Sequence, residues 1–112
     1  NLEAKRDWGY APEYVEAMWL MLQQKKPDDY VVGTGETYSI KYFAKNAFDV
    51  LGLNFQKYIK INKKFFRPAE VDLLVADFRK INKQTQWKAK TKIDKLIEKM
   101  VLNDFNLLKK KL

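Results

Sequence analysis

The chain has 112 residues, of which 46% are apolar and 14% aromatic, enough for one domain with a modest core. It contains no cysteine and no histidine, which excludes disulfides, thiolate metal sites and serine–histidine chemistry. The net charge of +8 is uneven, because residues 1–56 carry 6 Lys/Arg against 8 Asp/Glu while residues 57–112 carry 16 against 6.

The first half of the sequence predicts two helices and one strand. Pro12 opens a helix over "PEYVEAMWLMLQQ" (12–24), which is apolar around most of its circumference and is therefore expected to be largely buried. A short strand is predicted at "YVVGTG" (30–35). A second helix follows in "YSIKYFAKNAFDVLG", with Ser39 as its cap and Gly52 as its terminator.

The second half predicts another short strand and two more helices. "YIKIN" (58–62) alternates like a strand, and "ADFRKINKQTQ" (76–86) predicts a short helix. The last helix begins near Ile93, with Thr91 and Asp94 forming a capping-box-like start. Its apolar stripe is expected to face the protein's own core: Ile93, Leu96, Ile97, Met100, Val101, Phe105, Leu108 and Leu112.

The fold class predicted from these elements is α+β. We expect a single small domain, residues 1–112, with about four helices and two or three short strands. The series of alternating strands and helices that a nucleotide-cofactor domain needs is missing. The longest apolar run, "AMWLML" (17–22), is too short to cross a bilayer. With cysteine also absent, we expect a cytoplasmic protein without a membrane segment.

Three motifs suggest binding sites but have structural explanations. "GTGETY" (33–38) lacks the third glycine of a dinucleotide-binding loop and is interpreted as a strand-ending turn. The lysines that end the last helix could bind a membrane or nucleic acid, but they also complement the helix dipole. "NFQKYIKINKKFF" (54–66) mixes aromatic residues with lysines, as nucleic-acid stacking surfaces do, although Phe55, Tyr58, Ile59 and Ile61 could instead face inward from a small sheet.

Arg67 is the most distinctive candidate for ligand binding. Pro68 holds the backbone before it extended, which suits a bidentate contact between the guanidinium and a phosphate. Glu70 could accept hydrogen bonds from a ribose hydroxyl pair, and Arg6 lies at a second turn. On residue chemistry alone, however, an exposed Arg67–Glu70 ion pair is the preferred interpretation.

The sequence resembles the C-terminal, sugar-nucleotide-binding portion of the GDP-mannose 4,6-dehydratases, which are extended short-chain dehydrogenase/reductases. "NLEAKRDWG", "EYVEAMWLMLQ", "FRPAEVD" and "IDKLIEKMVLNDFNL" carry the resemblance, which covers essentially the whole chain. It implies that Arg6 and Arg67 contact the diphosphate of the substrate and that Glu70 binds its ribose. On this basis the resemblance replaces the ion-pair interpretation.

The resemblance also implies what this portion lacks. The family's dehydration uses NADP bound by an N-terminal Rossmann domain that carries a Tyr-x-x-x-Lys pair, and no tyrosine here has lysine four residues later. We therefore expect a chain that binds GDP-mannose or a related sugar nucleotide, binds no cofactor or metal itself, and cannot transfer hydride alone. A Rossmann half is the expected partner, and the complete enzyme is expected to be a homo-oligomer.

Some positions depart from the family pattern. Ala76-Asp77 stands where Gly-Asp is usual, and Thr85, Gln86, Trp87 and Ala89 replace a Leu-Gly-Trp-x-Pro pattern. Two other interpretations remain open: a basic module or degenerate remnant that binds nucleic acid, and a barely stable chain that exposes Met18, Trp19 and Met21 without its neighbour.

Overall fold

The structure, a computed structural model, describes residues 1–112 and contains four helices and one two-stranded sheet. The helices are α1 (Ala11–Leu22), α2 (Ile40–Val50), α3 (Arg79–Thr85) and α4 (Ile93–Lys111), and the strands are β1 (Lys5–Arg6) and β2 (Tyr38–Ser39). The expected α+β class is confirmed.

The positions of the strands differ from those predicted. Residues 30–35 and 58–62 form no strand, and the antiparallel sheet instead pairs Lys5 with Ser39 and Arg6 with Tyr38. Residues 58–62 lie between two single turns of 3-10 helix, Phe55–Lys57 and Lys63–Phe65. Both predicted strands are therefore wrong. At 58–62, the side chains of Asn54 and Asn62 cap the flanking turns. At 30–35, the amides of Thr34 and Gly35 donate to the Asp7 side chain instead of to a neighbouring strand.

β1 also pairs with a segment far along the chain. The Lys5 amide donates to the Asp72 carbonyl at 2.8 Å, and the Leu74 amide donates to the Lys5 carbonyl at 3.0 Å. β1 therefore lies between β2 and residues 72–74, and this places the start of the chain beside the segment that follows Arg67.

The predicted ends of α2 are confirmed. The Ser39 hydroxyl accepts a hydrogen bond from the Tyr42 amide at 3.0 Å. At the other end, Gly52 adopts a φ of +69°, which L side chains rarely adopt, and its amide donates to the Asp49 carbonyl.

The predicted capping box of α4 is wrong. The N-cap residue is Lys92, and no side chain caps the helix. The Thr91 hydroxyl instead donates to Glu13 Oε2 at 2.9 Å, and Asp94 Oδ1 accepts from the Tyr42 hydroxyl at 2.6 Å. Both side chains therefore join α4 to other elements rather than to its own first turn.

The core consists of two small clusters. One joins α1 to α3 through Ala17, Ile81 and Trp87, and the other is formed by Ile93, Leu96 and Ile97 in the first half of α4, packed against α2. Trp87 Nε1 donates to the Glu13 carbonyl at 2.9 Å, so the buried indole has a polar partner.

Two expectations about burial are wrong. α1 is not largely buried: Ala17 alone is fully buried, whereas Val15, Met18, Trp19 and Leu22, here called the outer face of α1, are each more than half exposed. The α4 stripe is buried only in its first half, since Met100, Phe105, Leu108 and Leu112 are exposed. None of the four helices is long and apolar enough to span a bilayer.

Candidate anion-binding site

Arg6 is held at the candidate site by β1, and its guanidinium contacts the segment that carries Glu70. Nη1 donates to the carbonyls of Lys5 and Val71, both at 2.7 Å, and Nη2 donates to Glu70 Oε1 at 2.5 Å. Both side chains of this ion pair are about three-quarters shielded from solvent. Arg6 and Glu70 are thus brought together across 64 residues of sequence.

The ion pair expected from residue chemistry alone is wrong, because Glu70 pairs with Arg6 and not with Arg67. Arg67 is exposed and takes part in no ion pair or side-chain hydrogen bond. The backbone just before it is extended, with φ −71° and ψ 133° at Phe66. The guanidinium of Arg67 therefore carries an uncompensated charge three residues before Glu70.

The Asp7 carboxylate accepts four hydrogen bonds, and the sequence analysis did not identify it. Oδ1 accepts hydrogen bonds from the Thr34 amide (3.0 Å) and the Thr34 hydroxyl (2.5 Å), and Oδ2 accepts from the amides of Gly35 (2.9 Å) and Ala76 (3.0 Å). One carboxylate therefore joins three segments. Its position next to Arg6 in "KRDW" only weakly indicates this role, because the residues that donate to it, at 34–35 and 76, are distant in sequence.

The loop at 33–38 does not fit a cofactor phosphate. The amides of Thr34 and Gly35, which would cradle one, already donate to Asp7. A Cβ at Gly33 would lie 2.2 Å from the Cβ of Ala76, so this glycine serves close packing against the 76 segment. The interpretation of this motif as a strand-ending turn is wrong in that no strand precedes it, and the chain instead bends at Gly33 and Gly35.

Glu13 is a second carboxylate that holds distant segments together. Oε1 accepts from the amides of Lys90 (3.0 Å) and Thr91 (3.1 Å), and Oε2 accepts from the Thr91 hydroxyl. Although burial opposes ionisation, these hydrogen bonds hold the pKa of Glu13 below its ordinary value. Glu13 thereby holds the residues just before α4 against the first turn of α1.

Two cavities on the surface are lined by residues other than the three candidates. A cavity of about 690 Å³ is lined by Tyr10 and residues of α4, and an apolar cavity of about 270 Å³ lies between α2 and the second half of α4. Arg6, Arg67 and Glu70 line neither cavity. Arg67 is therefore presented on the exposed surface, whereas Arg6 and Glu70 are partly shielded.

The amino-acid sequence matches a known family and named proteins over most of its length. A family model described as GDP-mannose 4,6 dehydratase matches residues 1–100. The proteins named GDP-mannose 4,6 dehydratase 1 and 2 of Arabidopsis thaliana are 49% and 50% identical over 110 residues, which are 98% of this chain and 30% of each relative. The human protein named GDP-mannose 4,6 dehydratase is 36% identical over an alignment of 126 positions, gaps included, which covers 97% of this chain and 34% of the relative. The chain thus spans about a third of the length of these relatives.

Solved structures share the fold at low sequence identity. RMD from Pseudomonas aeruginosa, determined with NADPH, superposes with a TM-score of 0.76 at 18% identity over 93% of this chain and 33% of its own. UDP-glucose 4-epimerase from Bifidobacterium longum, determined with NAD+ and UDP, gives a TM-score of 0.69 at 23% identity over 85% of this chain and 28% of its own. Both likenesses concern about a third of a longer chain.

Proposed function

Because the chain belongs to the GDP-mannose 4,6-dehydratase family, we propose that it forms the sugar-nucleotide-binding portion of such an enzyme. It binds the diphosphate and the ribose of GDP-mannose or a related sugar nucleotide. Hydride transfer belongs to NADP bound by a cofactor-binding portion outside these 112 residues. The catalytic residues of the dehydration would lie there too.

The observation that carries this proposal is the state of Arg67. It is an exposed guanidinium without a protein partner, preceded by extended backbone and followed by Pro68. Arginine offers two parallel N–H groups to a phosphate oxygen pair, and an unpaired arginine need not give up an internal contact to do so. Arg67 is therefore assigned to the diphosphate.

Glu70 and Arg6 have distinct parts in the proposed site. Arg6 occupies Oε1 of Glu70, and Oε2 is left to accept a hydrogen bond from a ribose hydroxyl. Arg6 has its own Nε–H and one Nη2–H free for an anion, although its other contacts hold it to Val71 and Lys5. We assign Glu70 to the ribose and Arg6 to both the diphosphate and the positioning of Glu70.

We further propose that a cofactor-binding portion covers the outer face of α1. Val15, Met18, Trp19 and Leu22 form one stripe along the helix and are all more than half exposed. The relatives are about three times as long as this chain, so they have the additional residues that could bury such a stripe. Homo-oligomer formation and the alternative of a nucleic-acid-binding module remain predictions.

The site assignment is tested by calorimetric titration with GDP-mannose. Arg67→Ala should weaken binding at least tenfold, because a hydrogen bond to a charged group contributes about 1.5–3 kcal/mol. Lys111→Ala, which removes one exposed positive charge at the end of α4, is the matched control and should bind like the wild type.

The titration should be repeated with the N-terminal two thirds of an Arabidopsis relative added, since that portion can complete the site. Equal affinities for wild type and Arg67→Ala under both conditions would remove Arg67 from the site. The absence of GDP-mannose binding in both conditions would refute the proposed function.

A further inference from the structure

The residues that precede Arg67 include several lysines and no acidic residue. Between Asp49 and Glu70 the chain carries five basic residues and no acidic residue: Lys57, Lys60, Lys63, Lys64 and Arg67. All five side chains are exposed. Residues 57–67 are called the basic segment below.

The positive charge of the basic segment is not neutralised within the protein. None of its five basic side chains takes part in an ion pair. The flanking acids are already committed, since Asp49 pairs with Lys45 and Glu70 pairs with Arg6. Some lysines elsewhere do bind a carboxylate, as Lys80 and Lys92 do, whereas others, such as Lys109, Lys110 and Lys111, are also unpaired.

The backbone of the basic segment is shaped by local turns. The Asn54 side chain caps the turn Phe55–Lys57, and the Asn62 side chain caps the turn Lys63–Phe65 by accepting from the Lys64 amide at 2.9 Å. The second turn ends at Phe65, and its C-cap residue Phe66 lies directly before Arg67. Lys63 and Lys64 are therefore kept within a few residues of the guanidinium proposed to bind the diphosphate.

We propose that the basic segment is an anion-collecting surface that concentrates the sugar nucleotide at Arg67. The inference rests on the proposed function and adds a role for lysines that touch no substrate in the bound state. A diphosphate is attracted by the summed field of several nearby positive charges, and such fields raise local ligand concentration and association rates by about tenfold or more at low ionic strength. Salt weakens the effect, because the Debye length is about 10 Å at 0.1 M.

The test compares two triple variants that remove the same charge from different places. Lys60→Gln/Lys63→Gln/Lys64→Gln changes the basic segment, and Lys109→Gln/Lys110→Gln/Lys111→Gln changes the end of α4. Inorganic pyrophosphate and GDP-mannose are titrated into each protein and the wild type at low and high ionic strength, with binding followed by NMR chemical shifts. All six side chains are exposed, so both variants should fold.

We expect the basic-segment variant to bind both ligands about fivefold more weakly than the wild type at low ionic strength. The difference should nearly vanish at high ionic strength, and the α4 variant should stay close to the wild type throughout. Equal affinities for the two triple variants would overturn the proposal. A loss that persists at high salt would also overturn it, because it would indicate direct contacts rather than a collecting field.

The same titrations separate this inference from the proposed function. If pyrophosphate binding depends on the basic segment while wild-type protein binds GDP-mannose no tighter than pyrophosphate, the collecting surface stands and the sugar-nucleotide assignment fails. If neither ligand binds, the collecting surface fails, and the proposed function is then decided by the GDP-mannose titration with the added N-terminal portion. A labelled single-stranded oligonucleotide is added as a competitor, because Phe65 is 80% exposed among these lysines. Oligonucleotide binding much tighter than GDP-mannose binding would overturn the proposal in favour of nucleic acid.

Discussion

Two neighbouring side chains of opposite charge determine where the segment after Arg67 lies. Arg6 binds Glu70 and the Val71 carbonyl, and Asp7 binds the Ala76 amide. The backbone of Lys5 contacts the residues between them. Residues 5–7 therefore hold the segment 70–76 at both of its ends.

Replacing Asp7 should destabilise the fold. In Asp7→Asn one acceptor oxygen becomes an NH2 group, so either the Thr34 amide or the amides of Gly35 and Ala76 lose their acceptor, depending on which oxygen is replaced. We expect the free energy of unfolding to fall by at least about 2 kcal/mol, measured by urea denaturation.

Asp49→Asn is the matched control for this variant. Asp49 is exposed and pairs only with Lys45 on its own helix, so its loss should cost less than about 0.5 kcal/mol. Equal effects of the two variants would show that the Asp7 contacts contribute no more than a surface ion pair.

The Tyr42–Asp94 hydrogen bond predicts a loss of stability at alkaline pH. The bond joins α2 to the first turn of α4 and raises the pKa of Tyr42 to about 12, above its ordinary value of 10. The folded state therefore holds the phenolic proton more tightly than the unfolded state. The contribution is complete below pH 10 and is lost as the pH rises from 10 towards about 12.

Thermal unfolding followed between pH 9 and about pH 12 tests this dependence. Tyr42→Phe removes the hydroxyl, so its melting temperature should fall less steeply over this interval than that of the wild type. Parallel curves for the two proteins would contradict the assignment.

At the scale of residues, contacts close in sequence were predictable and distant ones were not. Ser39 and Gly52 were identified as the cap and terminator of α2 because those functions depend on position within a few residues. The Arg6–Glu70 pair spans 64 residues, and the chemistry of the sequence favoured the nearer partner, Arg67. The family resemblance named all three residues but did not reveal which two are in contact.

At the scale of elements, the sequence predicted where the helices form but not which of their faces are buried. Periodicity correctly predicted four helices, yet α1 and the second half of α4 expose apolar residues that the pattern assigned to the core. An apolar stripe indicates that a helix face favours burial, but it does not say whether this chain or another provides the cover. The two-residue strands were missed because an alternating pattern cannot appear over so short a length.

Polar substitutions on the outer face of α1 should separate folding from association. Met18→Ser/Trp19→Ser changes two exposed residues, so we expect the free energy of unfolding to change by less than about 1 kcal/mol. The same variant should co-purify poorly with the N-terminal two thirds of an Arabidopsis relative, which the wild type should retain.

Leu107→Ser/Leu112→Ser provides the matched control, because it removes two exposed apolar residues, one in α4 and one directly after it. If both double variants, or neither, lose the association, the outer face of α1 is not the docking surface.

The whole molecule is flat. Its extents are 52 × 39 × 20 Å, and its radius of gyration of 17.0 Å exceeds the value of about 13 Å expected for a compact domain of this length. Only 8 of 112 residues are buried. A layer 20 Å thick leaves little room for side chains shielded on both sides, so the two clusters must supply most of the hydrophobic stabilisation.

Hydrogen exchange should reveal this uneven stability. Amides in the first half of α4, which carries three of the buried residues, should exchange most slowly, whereas α1 should exchange faster because one side of it is exposed. Adding the N-terminal portion of a relative should slow exchange in α1. Equal protection of α1 and α4 in the isolated chain would indicate that the exposed stripe does not weaken the helix.

The close approach of position 33 to Ala76 restricts how the sequence can evolve. Any side chain at 33 would collide with the methyl group at 76, and its Cβ would also lie 3.1 Å from Asp7 Oδ2. A bulkier residue at either position therefore requires a compensating change at its counterpart or a retreat of the backbone. Across homologous sequences, these two sites should co-vary, and a lineage that enlarges one without shrinking its counterpart should also have replaced the acid at position 7.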